Sequence, residues 1–171
     1  MGKKSVRENK NIYQLAREEA GLTRAKASEA MGIISESAIE KIEYGQMLPA
    51  PDYVLAMADA YKKPELCNNY CANECPIGNV YVPPVKTTEL SQIVLHLLAS
   101  LNALEKDKDR LIEITVDGTI SDKEMVDFAR IQKTVNQISM AADAMQLWLE
   151  KGMSTGVINR EILEKLLNEM E

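Results

Sequence analysis

Leu90, Val94, Leu97, Leu101, Leu104 and Leu111 follow one another at spacings of four and three residues, broken only where Lys108 stands in the seam. Apolar side chains repeat this way on a helix that lays a narrow stripe against another helix. The pattern therefore fixes the second half of the chain as helical and excludes strands there. Asp117-Gly118 marks a turn, and Ser121 with Glu124 three residues later forms a capping box that opens a second long helix. Its seam is Phe128, Ile131, Val135, Ile138, Ala142, Met145 and Leu149, closed by Gly152, and a last helix carries Ile158, Ile162, Leu163, Leu166 and Met170. Short connections between such helices predict an antiparallel hairpin or a three-helix bundle over residues 89–171 that dimerises or receives a signal. The run Ile93–Leu98 is interrupted by His96 and falls far short of the roughly 20 apolar residues needed to cross a bilayer.

The first half has a different rhythm, with short helical groups separated by turn signals. Ile12, Leu15, Ala16 and Ala20 make one stripe, stopped by Gly21. Thr23 is placed as the N-cap of a second short helix that ends at Gly32, because its hydroxyl can accept from free backbone amides. A third helix is expected from Ser35 to Tyr44, with Ile39 and Ile42 inward and Gly45 ending it in a left-handed conformation. A fourth runs over about Asp52 to Lys62, and Pro64 suits the first turn of a fifth. Residues 76–88, with Pro76, Gly78, Pro83 and Pro84 around Val80-Tyr81-Val82, are expected to form an extended linker. The fold class is thus all-α, a five-helix domain over 11–75 followed by the helical hairpin or bundle.

Five short helices, the second and third joined by a tight turn, are the makings of a helix-turn-helix domain. Leu22-Thr23 followed by Gly32, Ile39, Ile42-Glu43, Gly45 and Pro49 resembles the pattern of the Cro/lambda-repressor type, or XRE, helix-turn-helix family over roughly residues 11–75. The resemblance implies a third helix that reads bases through Ser35, Glu36, Ser37, Glu40 and Lys41, and a second that sets Thr23, Arg24 and Lys26 near phosphates. Hydroxyl and basic groups suit phosphates, and side chains with paired donors or acceptors discriminate bases. Arg24 stands where the family usually has glutamine, and Ile33-Ile34 lengthen the turn by one residue. Glu36 and Glu40 set two carboxylates on the face that would approach a polyanion, which costs Coulomb energy.

Charge along the chain sharpens that point. The formal net charge of −6 is uneven: residues 1–66 hold ten Lys/Arg and ten Asp/Glu, and 67–171 hold ten against sixteen. The helix-turn-helix half is neutral, and residues 1–10 form a basic arm through Lys3, Lys4, Arg7 and Lys10 against Glu8. Such an arm either stays solvated or touches phosphates.

Cys67, Cys71 and Cys75 are each four apart, a spacing that stacks thiols along one helix face, although Pro76 disfavours helical geometry at Cys75. Three readings stay open: packing of small apolar side chains, a zinc ion or iron–sulfur cluster, and a redox disulfide. A metal would lack a fourth cysteine, leaving His96, Glu74, an external ligand or a second subunit to complete it. The turn at Asp117–Glu124 needs no calcium ion to explain it, since the first half of a calcium loop is missing. One histidine in 171 residues, and no phosphate loop or nucleophile beside a base, leave an enzyme the least supported class.

These features together point to a cytoplasmic, repressor-like regulator that binds an inverted-repeat operator as a homodimer, with room for a protein partner at the C-terminal bundle. The competing function is a protein-interaction adaptor in which Glu36 and Glu40 meet a basic partner surface.

Overall fold

The computed structural model describes residues 9–86 and 88–170. The arm residues Lys3, Lys4, Arg7 and Glu8 lie outside the described residues. Every regular element among the described residues is helical: α1 (Ile12–Glu19), α2 (Arg24–Met31), α3 (Glu36–Glu43), α4 (Pro51–Tyr61), α5 (Glu65–Asn73), α6 (Gly78–Tyr81), α7 (Leu90–Thr115), α8 (Met125–Ser154) and α9 (Arg160–Asn168). None of these helices is long and apolar enough to cross a membrane. The chain divides into two compact units, Met1–Pro84 with Leu149–Glu171, and Val85–Trp148.

Local signals set the first five helices. The Thr23 side chain accepts from the Lys26 amide at the start of α2, and Gly32 ends that helix at φ +71°. Ser35 caps α3 by accepting from the Ala38 amide at 3.2 Å, and Gly45 follows at φ +68°. Only a residue without a Cβ takes that left-handed conformation cheaply, so the glycines fix where α2 stops and where the chain leaves α3. Ile39 and Ile42 point inward as their spacing requires and pack with Tyr13, Ala27, Ile34, Met57 and Tyr61 in one core. The extra turn residue is absorbed here: Ile34 is buried, its carbonyl accepts from the Ser28 hydroxyl at 2.7 Å, and Ile33 protrudes.

The stretch expected to be an extended linker contains α6. Gly78 makes that turn fit, because its backbone lies directly on the carbonyl of Cys71 in α5, where any Cβ would collide. The Asn68 side chain also donates to the Pro83 carbonyl at 3.2 Å, tying the segment down. At the far end of this unit, Lys151 pairs with Glu65 at 3.0 Å. Gly152 does not end α8 as expected. It sits inside the helix, bare so that the Ile158 side chain can lie on it, and the left-handed stop falls at Gly156. None of the residues of α9 is buried.

The second unit is a hairpin of α7 and the greater part of α8. Ser121 and Glu124 make the capping box that opens α8, with both the Ser121 amide and hydroxyl donating to the Glu124 carboxylate. These bonds, Ser121 first, hold the Glu124 carboxyl below the usual carboxylate range. Arg110 bonds Asp127 at 2.8 Å, and Arg130 bonds Asp107 and Asp127, which fixes the two helices antiparallel and in register. The buried line of α7 is Ile93, Ser100 and Ile114, rotated away from the leucine seam, and that of α8 is Ile131, Thr134, Ala141, Ala144 and Leu147. Leu101, Val135 and Ala142, all expected in the seams, stay exposed. Two helices cover only part of each other's circumference, and the arginine–aspartate pairs lie along the edge of the part that is covered.

Candidate nucleic-acid interface

The site begins with a buried ion cluster between α1, α2 and α3. Glu43, at the end of α3, is 2% exposed. It accepts from Arg17 Nε at 2.5 Å and Nη2 at 3.0 Å, a fork that matches both carboxylate oxygens. Arg17 Nη1 also donates to the Leu22 carbonyl at 2.7 Å, so the turn before α2 hangs on the same side chain. Arg24, from the first turn of α2, donates its Nε to Glu43 and its Nη1 to Glu40, both at 2.8 Å. Its guanidinium stands over the Tyr44 ring, 5.1 Å from the centroid. Partial burial alone would lower the Arg24 pKa, but bonds to Tyr44 and Glu43 and the Glu43 charge raise it on balance, so it stays charged.

This cluster changes what several residues can do. Arg24 is a clamp between the two helices rather than a free phosphate ligand, with one-fifth of its side chain exposed. Glu40 is not a bare carboxylate, because Arg24 neutralises it where it stands on α3. Glu36 is exposed in the first turn of α3, where the partial positive charge of the helix N-terminus favours an acid.

The remaining candidates sit on the surface of the same two helices. Thr23, Lys26, Ser35, Ser37 and Lys41 are all exposed. Lys26 and Lys41 have no carboxylate within ion-pair distance among the described residues. The cap bonds use lone pairs of the Thr23 and Ser35 hydroxyls, which leaves their O–H protons free to donate outward. The surface therefore offers two ammonium groups and three hydroxyls beside the exposed carboxylates of Glu29 and Glu36. The ammonium and hydroxyl groups suit phosphate oxygens.

Arg17 and Tyr44 did not stand out in the sequence. The one signal was that Arg17 falls four residues after Tyr13 on the inward stripe of α1, where a charge needs a buried partner.

The cysteines take another part. Among the described residues no group of three histidine, cysteine, aspartate or glutamate side chains is placed to hold a metal ion. Cys67, Cys71 and Cys75 are free thiols of intermediate burial. Burial, followed by the charge of Glu150, pushes the Cys67 thiol up. Cys75 Sγ accepts from the Gly78 amide at 3.5 Å as the chain turns into α6. Helix α5 ends at Asn73 with Glu74 as its C-cap, so Cys75, the residue before Pro76, lies outside the helix.

No curated protein and no solved structure matches the chain. Residues 14–66 match the family described as Helix-turn-helix. That span begins inside α1 and ends at the start of α5, enclosing the ion cluster and every exposed candidate from Thr23 to Lys41. This part of the chain is thus a helix-turn-helix domain of the Cro/lambda-repressor type.

Proposed function

We propose that the protein is a sequence-specific DNA-binding transcription regulator, repressor-like and dimeric, acting on an inverted-repeat operator in the cytoplasm. The reading rests on the Arg24–Glu40 pair, which removes the stronger of the two charge objections on α3 and leaves Lys26 and Lys41 uncompensated beside it. Helix α3 enters the major groove with Ser37, Lys41 and the neutralised Glu40 toward base edges. Thr23, Lys26 and Ser35 hold the backbone phosphates. Arg24 positions α3 from behind. Glu36, in the first turn, can accept from a cytosine amino group. The adaptor alternative needs both glutamates facing a basic partner, and only Glu36 is free to do so.

Titration of the full chain onto a labelled random-sequence duplex, followed over a salt series, tests the charge assignment before the operator is known. Lys26→Ala, which loses a phosphate contact, and Lys41→Ala, whose ammonium meets phosphates on a duplex that offers no matched base, are each expected to weaken binding and to lower the slope of log K against log salt by about 0.9 per lost contact. Unchanged slopes in both variants would take these residues out of the interface. Replacing both Glu36 and Glu40 with glutamine separates the two readings: stronger DNA binding marks a weak DNA reader, whereas loss of a pulled-down protein partner, with both lysines silent on DNA, would favour the adaptor.

A further inference from the structure

The hairpin of α7 and α8 leaves one side of α7 without cover. Val94, Leu98, Leu101, Glu105, Lys108 and Ile112 step along that side at intervals of four, three, four, three and four, which is a second seam beside the one facing α8. Leu98 is 52%, Leu101 43% and Ile112 57% exposed, far from what isolated core positions of a helix pair show. An open groove runs past Leu101, Leu104, Glu105, Lys108 and Leu111. Helical geometry sets Val135 and Ala142 of α8, also exposed, on the same side of the antiparallel hairpin.

We infer that this face docks onto the same face of a second copy of the chain, α7 antiparallel to α7, with Leu101 against Ile112 and Glu105 against Lys108. The inference deepens the dimeric reading above and rests on it. What selects a second copy is the order of residue types. Leu101, Glu105, Lys108 and Ile112 read apolar, acidic, basic, apolar at spacings of four, three and four. Reversed, the spacing is unchanged and every acid meets a base. A two-fold interface needs this self-complementarity, because each residue i that meets j is matched by j meeting i. The axis passes between Lys106 and Asp107. A parallel alignment in the same register would set Glu105 on Glu105 and Lys108 on Lys108, which like-charge repulsion opposes. Glu105 and Lys108 already bond each other within the helix at 2.9 Å, so both side chains are held along the stripe before a partner arrives.

The size is adequate. About this axis Leu98 is matched by Thr115, the last residue of α7, so the shared stretch spans about 26 Å of helix at 1.5 Å per residue, and two adjacent helices present a face about 20 Å wide, so each copy covers roughly 500 Å². Both copies together bury about 1,000 Å², the least that a specific protein interface needs.

Sedimentation velocity on a dilution series of the full chain, with wild type, Glu105→Lys, Lys108→Glu and the double exchange, decides the matter. Each single reversal turns two attractive contacts into two repulsive ones and is expected to raise the dimer dissociation constant about tenfold, and the double exchange to restore it within about twofold. In parallel, Leu101→Cys chains mixed with Ile112→Cys chains are expected to form an oxidative cross-linked heterodimer that wild type does not. A dimer whose dissociation constant is the same in all four proteins and which gives no 101–112 cross-link overturns this interface and leaves the dimeric reading standing. A chain that stays monomeric throughout overturns both. Weakening in both singles without rescue in the double overturns the antiparallel register.

Discussion

The ion cluster beneath the reading helix carries the most demanding test. Glu43 is buried and answers two arginines, and Arg17 on the other side of it is itself buried. Glu43→Gln keeps the shape and one acceptor but removes the charge and turns an N–H donor toward a guanidinium. Arg17 is then a buried cation with no counter-charge, a change that costs about 3–5 kcal/mol when a buried pair loses one member. Arg24 suffers less, because Glu40 still holds it. A domain of this size is stabilised by only about 5 kcal/mol or so, which makes the loss nearly the whole margin. Native-state hydrogen exchange with peptide resolution is the suitable assay, since it reports α1 and α3 separately from α7. At 1.4 kcal/mol per tenfold change, protection of the most slowly exchanging α1 and α3 amides is expected to fall by about two to three orders of magnitude. Amides of α7 serve as the internal reference. Arg17→Met with Glu43→Leu removes both charges and keeps the volume, and by the same logic it costs about 2 kcal/mol or less. Loss of less than threefold protection in Glu43→Gln, or a double variant no better than the single, would refute the claim that an uncompensated Arg17 is what hurts.

Gly78→Ala tests the seat of α6: a Cβ there meets the Cys71 backbone, which cannot rotate away, so a loss of about 1–3 kcal/mol in urea unfolding is expected, and a neutral variant would show that α6 does not rest on α5. The pH dependence of the hairpin follows from Asp107 and Asp127, whose carboxyls are held below the ordinary aspartate range, first by the hydrogen bond from Arg130 and from Arg110 respectively. Groups depressed in the fold contribute stability that is complete above the unfolded value of about 3.9 and is lost as pH falls through the lower folded values. Acid titration of the helical signal should therefore show hairpin loosening below about pH 4 that Asp127→Asn shows already at neutral pH, and an Asp127→Asn profile identical to wild type would deny the pairs that role.

How much of this was legible in the sequence depends on how far each cause reaches along the chain. Thr23, Gly32, Ser35 and Gly45 set helix ends through bonds and dihedrals within four residues, and each does in the structure what its type and place imply. Ile39 and Ile42 were readable because burial repeats with the helix. Arg17 and Glu43 are 26 residues apart, and no local pattern announces that they meet. The family pattern sets Arg24 near phosphates by its position after Thr23, but its partners in the fold lie 16 and 19 residues away. The leucine seam was visible as a seam. Which side of α7 faces α8 was not, since the residues that meet there, Ile93 and Ile114 with Ile131 and the Arg110–Asp127 pair at the edge, come from opposite helices. Gly152 looked like a stop because glycine often is one, and only the Ile158 side chain gives its other purpose.

The same long-range contacts alter the charge argument that first counted against nucleic acid. A lone carboxylate about 10 Å from a phosphate in water repels it by roughly 0.4 kcal/mol, and Glu40 and Glu36 would add several such contacts. With Arg24 bound at 2.8 Å, Glu40 presents a short dipole whose field at that distance is about a third as strong. Glu36 lies in the first turn of α3, where the helix end carries about half a positive charge to set against it. Lys26 and Lys41 have no such compensation. The exposed surface of α2 and α3 therefore sets Lys26 and Lys41 against Glu29 and Glu36 and is formally neutral although the whole chain carries −6, because an arginine that faces inward answers Glu40. Net charge describes how the chain behaves as a colloid. The sign that a phosphate meets is set by which carboxylates have already been answered.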